Sequence, residues 1–280
     1  MTGRNQRANL FLIVLTFVLA AVFMIPLYWM VRSSFMNLKE LYQMDPMLLF
    51  PPKLRLDNYL RVFMDSNINL LQELKNSLVI AIAVVFGTVI TSSLAAFGFA
   101  RLRFPLRNLW FALVISSMLL PSAVTLIPTF LMWNALGQIG SFYPLIVPAW
   151  LGGGAYFIFL LRQFFLTIPR DLDEAAIIDG ANYFTVYYRV MLPLIKPALV
   201  VVALFSFIGA WNEFFYAYIY LSAEESYTLM LGLQTLRGVQ LADFTGVMAM
   251  ATLVTIPTFI FFLIGNRYFV EGITLTGIKG

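Results

Sequence analysis

Long stretches without a formal charge dominate the chain and determine which elements it is predicted to form. A helix needs about 20 consecutive apolar residues to cross the hydrocarbon layer of a membrane. Four stretches without a charge and one stretch with a single acid, the fourth in chain order, exceed that length. The third stretch has 54 residues and is long enough for two helices and a turn. The five stretches are residues 8–31, 76–100, 108–161, 197–223 and 244–266. The pattern therefore predicts an all-α fold with six membrane-spanning helices.

Two local features refine this count. The segment 132–142 contains Asn134, Gly137 and Gly140, which are residue types that favour a turn between the third and fourth helices. The first stretch follows two arginines, as in a secretory signal peptide, but its 24 residues exceed the roughly 7–15 of such a peptide's apolar region. We therefore expect the first stretch to be retained as a membrane helix.

The distribution of arginine predicts which side of the membrane each connection occupies. Short loops rich in Lys and Arg remain in the cytoplasm. The loop between the second and third helices holds three arginines and no acid, and the N-terminal tail adds two more. These residues are Arg101, Arg103, Arg107, Arg4 and Arg7. Both termini are therefore expected in the cytoplasm, with residues 33–75 and 222–243 on the external side.

The chain is expected to form a single transmembrane domain, residues 1–280. Residues 1–75 form the first helix and an external segment, and residues 76–268 form the core of the remaining helices. A cytoplasmic loop at 167–197 belongs to this core, and residues 269–280 form a cytoplasmic tail.

Composition excludes the soluble classes of protein. The chain is 61% hydrophobic and only 11% charged, against about 25% charged in soluble domains, and its mean hydropathy is +0.85. The net charge of +4 is better explained by topology signals than by a surface for nucleic acid. The absence of Cys and His excludes disulfides, thiolate or imidazole metal sites and Ser-His or Cys-His catalysis. No catalytic residue and no metal site are predicted.

The cytoplasmic segment 167–196 is too long for a plain connection. Asp171 or Asp173 is predicted to cap a helix N-terminus, and Gly180 is predicted to close that helix in the left-handed conformation. A second short amphipathic helix is expected at 183–191. The segment therefore presents two short helices to the cytoplasm.

The first of these helices carries small and apolar side chains. Ala175 and Ala176 permit close backbone approach, and Ile177 and Ile178 offer an apolar anchor. Such a surface favours docking to another protein. The alternative is a helix that lies on the lipid interface.

This segment resembles the EAA motif of ATP-binding-cassette importer permeases, Glu-Ala-Ala-x3-Gly-x9-Ile-x-Leu-Pro. The matching residues are Glu174, Ala175, Ala176, Gly180, Leu192 and Pro193, with Val190 in place of Ile. Other features resemble the second permease of maltose-type sugar importers, and the resemblance covers essentially the whole chain. They are Asn76-Ser77, Arg103-Phe104-Pro105, Trp211-Asn212-Glu213 and the ending Gly277-Ile278-Lys279-Gly280.

The resemblance implies a type I importer-permease fold in the bacterial inner membrane. It implies as partners a homologous permease, two ATPase subunits that bind ATP and Mg, an extracytoplasmic binding protein and a carbohydrate substrate. The helix at 174–180 would be the coupling helix in an ATPase cleft, and the C-terminal tail would reach the ATPase subunits too. The residues so assigned are Glu174, Ala175, Ala176, Asp179, Gly180, Pro193, Lys279 and Gly280. The external segment 222–243 would meet the binding protein.

The chain itself is not predicted to hydrolyse ATP. None of its five lysines follows a glycine, so it has no Gly-Lys-Ser/Thr phosphate loop. No cofactor is therefore expected in this chain, and ATP energy must come from another one.

The fifth predicted helix carries a polar stripe with the one acid found inside a span, Glu213. In a continuous helix, Ser206, Gly209, Asn212, Glu213, Tyr216 and Tyr220 fall within about 120° of helix surface, with Trp211 to one side. The stripe suits a wet cavity that hydrogen-bonds sugar hydroxyls and stacks on sugar faces. The alternative is a stripe that packs against the partner permease. The candidate pathway residues are Asn212, Glu213, Tyr216, Tyr220 and Trp211.

We therefore expect a permease subunit that moves a sugar or oligosaccharide without changing it chemically. One alternative is the same scaffold importing a non-sugar solute, such as a glycerol phosphodiester. The other is an ion-coupled secondary transporter, which would need more intramembrane carboxylates than Glu213.

Overall fold

The computed structural model describes residues 2–43, 50–51, 53–64, 69–239 and 244–277, and every regular element within these ranges is helical. Four of these helical segments are long and apolar enough to cross a membrane, and two bent helix pairs raise the number to six if each pair is one span. The four are Leu10–Ser34, Leu70–Arg101, Tyr143–Thr167 and Phe244–Asn266. The predicted all-α fold is confirmed, and the upper count agrees with the predicted six spans.

The helices are numbered here in chain order. The first four are α1 Thr2–Ser34, α2 Leu38–Gln43, α3 Asp57–Met64 and α4 Leu70–Arg101. They are followed by α5 Arg107–Ser117, α6 Ser122–Ala135, α7 Tyr143–Trp150, α8 Ala155–Thr167 and α9 Asp171–Ile178. The last five are α10 Tyr183–Leu194, with a π-helical middle at Val186–Met191, α11 Lys196–Trp211, α12 Phe215–Tyr220, α13 Leu229–Val239 and α14 Phe244–Gly277. The gap between α6 and α7 confirms the turn predicted at 132–142.

The chain divides into two compact units, of which the smaller comprises residues 1–70 and 232–256 and the larger 71–231 and 257–280. In the smaller unit, the buried amide of Asn58 donates to the carbonyls of Ser34 and Met36, at 2.7 Å each. The hydroxyl of Thr245 donates to Oδ1 of Asn58 at 3.3 Å. One buried side chain thus satisfies the backbone at the end of α1 and links it to the start of α14.

An apolar cluster of the larger unit packs α4 against α8 and α10. The ring of Phe97 meets that of Phe165 edge-on, with centroids 5.8 Å apart, and lies 5.3 Å from the ring of Tyr187. The hydroxyl of Tyr187 lies 2.7 Å from that of Ser93, so two buried polar groups satisfy each other. α10 is thereby anchored to the membrane-spanning helix α4.

Three interruptions shape the spans of the larger unit. α5 and α6 meet at 97° across residues 118–121, where Pro121 lacks the N–H needed to continue a helix. α10 and α11 meet at 81° at Ile195, which has a proline two residues away on each side. Between α7 and α8, a Cβ on Gly153 would lie 2.7 Å from the carbonyl oxygen of Thr88, and the glycine has φ 67°. Only glycine therefore allows this turn to approach α4 so closely.

The fifth span differs from the prediction, which assumed one continuous helix over 197–221. α11 ends at Trp211, and the chain resumes helical structure only at Phe215. At the break, the N–H of Glu213 bonds three residues back to the carbonyl of Ala210, at 3.4 Å, instead of four residues back. The assumption of a continuous helix is therefore wrong beyond residue 211.

Candidate functional site

The C-terminal end of α9 is closed by a glycine. Gly180 adopts the left-handed conformation, with φ 89°. Its N–H bonds to the carbonyl of Ile177 at 3.0 Å, and the N–H of Ala181 bonds to the carbonyl of Ala176 at 2.9 Å. These two bonds form the Schellman motif, which glycine enters without the steric cost of a Cβ. The helix end predicted at Gly180 is confirmed.

A buried ion pair fixes the N-terminal end of α9. Arg101, the last residue of α4, places Nε 3.2 Å from Oδ2 of Asp173, and its Nη2 donates to the carbonyl of Ile168 at 2.8 Å. Burial raises the pKa of the Asp173 carboxyl, although Arg101 and Arg170 act to lower it. The cap predicted for Asp171 or Asp173 is wrong, because Arg170 occupies that position without a side-chain bond. Asp173 pairs with α4 instead.

The outward face of α9 carries most of the residues predicted to dock. Glu174, Ala175, Ile178 and Asp179 are exposed, with Ile178 84% exposed, whereas Ala176 is half-buried against the apolar cluster. No basic group in the described part of the chain forms an ion pair with Glu174. The face therefore presents exposed apolar side chains beside a carboxylate, and its role in docking stays a prediction.

α10 continues this segment and returns it to the core. Oδ1 of Asn182 accepts the N–H of Thr185 at 2.8 Å and so caps the helix. Pro193 lies exposed near the end of α10. The two predicted tail residues, Lys279 and Gly280, lie outside the described residues.

A cavity of about 380 Å³ lies among α4, α6, α7, α11 and α12 of the larger unit. Its wall is mostly apolar, with one carboxylate, three threonines and two tyrosines. The lining residues are Ile80, Val84, Thr125, Thr129, Trp133, Pro144, Leu145, Pro148, Gly209, Ala210, Glu213, Tyr216, Tyr220 and Thr228. An apolar wall with a few polar groups is typical of small-molecule sites.

The break in the fifth span positions the polar groups of this cavity. Oε1 of Glu213 accepts the N–H of Tyr216, in the first turn of α12, at 2.8 Å. The rings of Tyr216 and Tyr220 stack with centroids 6.2 Å apart. The hydroxyl of Tyr220 donates to Oγ1 of Thr129 at 3.4 Å, and its ring stacks on Phe130 at 6.3 Å. A carboxylate and two aromatic rings therefore share one wall with α6.

Three of the five predicted pathway residues line this wall, and the other two lie elsewhere. Trp211 is buried and stacks on Phe207, with centroids 5.4 Å apart. Asn212 is exposed, and its amide donates to the carbonyl of Ile208 in the preceding helix at 3.0 Å. The break after residue 211 accounts for the difference, because the prediction placed all five side chains on one continuous helix.

Thr125, Thr129 and Trp133 also line the cavity, although sequence reasoning assigned them no role. They are spaced four residues apart in α6 and so share one helix face. Two hydroxyls and an indole at that spacing in a mostly apolar helix were the signal available in the sequence.

Residues 87–274 match the family of binding-protein-dependent transport system inner membrane components. This match covers more than half of the chain, and the chain belongs to that family. It is therefore a multi-pass component of a transport system in the inner membrane.

Relatives align with nearly the whole chain. The arabinooligosaccharides transport system permease protein AraQ of Halalkalibacterium halodurans is 30% identical over 94% of this chain and 93% of its own. The trehalose/maltose transport system permease protein MalG of Thermococcus litoralis is 33% identical over 97% of each chain. A chain in the crystal structure of a bacterial ABC transporter involved in alginate import has a TM-score of 0.81 at 24% identity, covering 96% of this chain and 99% of that chain. This likeness confirms the predicted permease fold.

Proposed function

We propose that this chain is the permease subunit of an ATP-binding-cassette importer for a sugar or oligosaccharide. Family membership supports the transport role, and relatives that span nearly the whole chain are named for oligosaccharide and disaccharide transport. These names favour a carbohydrate over a glycerol phosphodiester. The subunit moves its solute without changing it chemically.

The observation that carries the proposal is the geometry of α9. This helix is tied to α4 through Arg101, closed by Gly180 and exposed along its outer face. A short helix that is tied to a membrane-spanning helix at one end and closed by its own hydrogen bonds at the other moves as a rigid body, which suits it to transmit nucleotide-driven motion from another chain. Because the chain has no phosphate loop, we assign ATP and Mg binding to two separate ATPase subunits. The residues that we assign to docking in an ATPase are Glu174, Ala175, Ala176, Asp179, Gly180 and Pro193, with the tail residues Lys279 and Gly280.

The proposed complex includes two further partners. A second, homologous permease completes the pathway across the membrane, and an extracytoplasmic binding protein delivers the solute. The arginine distribution supports a cytoplasmic position for both termini and for α9. The segment 222–243 then faces the binding protein on the opposite side.

We assign the cavity in the larger unit to the solute pathway. The carboxylate of Glu213 can accept hydrogen bonds from sugar hydroxyls, and the rings of Tyr216 and Tyr220 offer faces on which a sugar can stack. Trp211 and Asn212 contribute indirectly, because α11 ends with them. The break that follows places Glu213, Tyr216 and Tyr220 at the wall of the cavity.

Reconstitution tests the proposal. The chain is assembled with its partner permease and ATPases in proteoliposomes and supplied with the binding protein, and ATP hydrolysis and solute uptake are both measured. Arabino-oligosaccharides, maltose and trehalose are compared with a glycerol phosphodiester, and the same vesicles without binding protein serve as the control. We expect a carbohydrate to stimulate both activities. Stimulation by the phosphodiester alone contradicts the solute class, and failure to assemble with any ATPase contradicts the permease role.

A further inference from the structure

Five arginines gather at one end of the larger unit, where α4 and α8 end and α5 begins. Arg101 pairs with Asp173, but no described carboxylate forms an ion pair with any of the other four. The other four are Arg103, Arg107, Arg162 and Arg170. Two neighbouring clefts at this end bring Arg101, Arg103, Arg107 and Arg170 together with two carboxylates, those of Asp173 and Glu174, so the net charge there is positive.

Three of these arginines line a cleft of about 600 Å³: Arg103, Arg107 and Arg170. Arg103 lies two residues after α4, Arg107 is the first residue of α5, and Arg170 lies three residues after α8. Because α4 and α8 end spans and α5 begins one, the cleft lies where the spans meet the membrane surface. Arg107 uses one of its five N–H donors on the carbonyl of Leu102, at 3.2 Å, which fixes the direction of its guanidinium.

An apolar stripe runs away from this cleft along α5. Leu106, Leu109, Trp110 and Leu113 are each more than half exposed, from 52% to 65%. Leu109, Trp110 and Leu113 lie on one face of α5 by their helical spacing, and Leu106 immediately precedes the helix. Leu106 and Leu109 also line the cleft, so the stripe begins directly beside the arginines. The cleft and the stripe form one continuous surface, positively charged at one end and apolar along the rest.

We propose that this surface binds an anionic phospholipid. The phosphate sits against Arg103, Arg107 and Arg170, whose guanidinium forks match phosphate oxygens in geometry and charge. One acyl chain lies along the stripe of α5, within the depth of the membrane. Basic pockets between membrane helices are suited to acidic headgroups. The lipid phosphate then forms the ion pairs that these three arginines do not form with any described carboxylate. The proposal does not depend on which solute is transported.

The test uses the assembled transporter in nanodiscs of phosphatidylcholine with increasing phosphatidylglycerol, and native mass spectrometry counts the retained phosphatidylglycerol. We expect Arg103→Gln and Arg170→Gln each to weaken retention about fivefold, the factor for one surface charge near an acidic lipid. Arg107→Lys keeps the positive charge but loses the paired donors of the guanidinium, so it should weaken phosphatidylglycerol retention less. This milder variant keeps the proposal testable if a variant that removes the charge fails to fold. Arg189→Gln, an exposed arginine outside the cleft, is the matched control and leaves retention unchanged.

Three results would overturn the proposal. If Arg189→Gln lowers retention as much as Arg103→Gln, the effect is general charge and not a site. If millimolar inorganic phosphate displaces the bound phosphatidylglycerol, the cleft recognises a free phosphate and not a lipid. If the cleft variants leave retention unchanged but lose the ATPase subunits on purification, the arginines pair with carboxylates of that partner.

Discussion

The guanidinium of Arg101 and the carboxylate of Asp173 lie 3.2 Å apart, Nε to Oδ2, and join the end of α4 to the first turn of α9. Both side chains are nearly buried, at 3% and 13% exposed. A displacement of α9 therefore pulls directly on a membrane-spanning helix. This pair makes Arg101 a positioning residue for the proposed docking helix.

Arg101→Gln should uncouple α9 from α4. The carboxylate of Asp173 would lose its charged partner, a loss of about 1–3 kcal/mol for a buried acceptor. We expect lower thermal stability of the purified complex and loss of solute-stimulated ATP hydrolysis, with basal hydrolysis retained. Asp173→Asn should be milder, and the double variant Arg101→Gln/Asp173→Asn should recover part of the loss, since contacting residues are not additive. Simple addition of the two effects would show that the pair does not act as a unit.

Gly180→Val should leave the protein in the membrane but abolish stimulated ATP hydrolysis and uptake. A Cβ at this position meets open space, so the cost comes from the backbone at φ 89° and not from a clash. That cost is about 1–2 kcal/mol for a β-branched residue held in the left-handed region. Gly180→Asn is the matched control, because Asn tolerates this conformation, and it should retain most of the activity. Equal loss in both variants would mean that the side chain, and not the backbone, disturbs docking.

Local patterns in the sequence predict the spans and one helix end, but not the contacts between distant residues. Charge-free length predicts the spans, and Gly180 predicts the end of α9, because both are local properties. The break at residues 212–214 was missed, since no Gly or Pro marks it. The partner of Arg101 was missed as well: in the sequence that arginine is a topology signal, and Asp173 lies 72 positions away. Long-range pairing leaves no local periodicity from which it could be predicted.

Glu213→Gln tests whether the charge of the cavity wall matters for transport. Gln keeps an oxygen that can accept the N–H of Tyr216, so this hydrogen bond to the first turn of α12 should survive. We expect altered solute uptake with complex assembly and basal ATP hydrolysis unchanged. Glu213→Leu is the contrasting variant, because it also removes this hydrogen bond, at about 1.5–3 kcal/mol for a bond to a charged group, and it should lower stability. If Glu213→Gln prevents the two permeases from co-purifying, the side chain is structural and not part of the pathway.

The proposed topology is open to a direct test. A reporter fused after Arg103 or after Gly280 should report the cytoplasm, and one placed within residues 58–66 should report the external side. The reason is the concentration of arginine in the loop between α4 and α5. An external C-terminus would contradict both the even number of spans and the cytoplasmic position of α9.

Cysteine crosslinking tests the docking of α9 most directly, because the chain has no native cysteine. Ala175→Cys should crosslink to an ATPase subunit, since this side chain is exposed on α9. Ala176→Cys should crosslink more weakly, because the side chain is half-buried against the apolar cluster. Tyr143→Cys is an equally accessible control, at 59% exposed, and should give no ATPase adduct because its turn is expected on the other side of the membrane.

The outcome separates the two interpretations of α9 that exposure alone leaves open. If α9 lies on the lipid interface, neither alanine position crosslinks to the ATPase, and a lipid-soluble thiol reagent labels both more readily than a water-soluble one. If α9 docks, nucleotide binding should change the crosslinking yield at Ala175→Cys, because closure of the ATPase moves the groove in which the helix sits. Glu174→Lys should lower that yield, since it reverses the charge of the exposed carboxylate next to this position. An unchanged yield with Glu174→Lys would confine the contact to the apolar face of the helix.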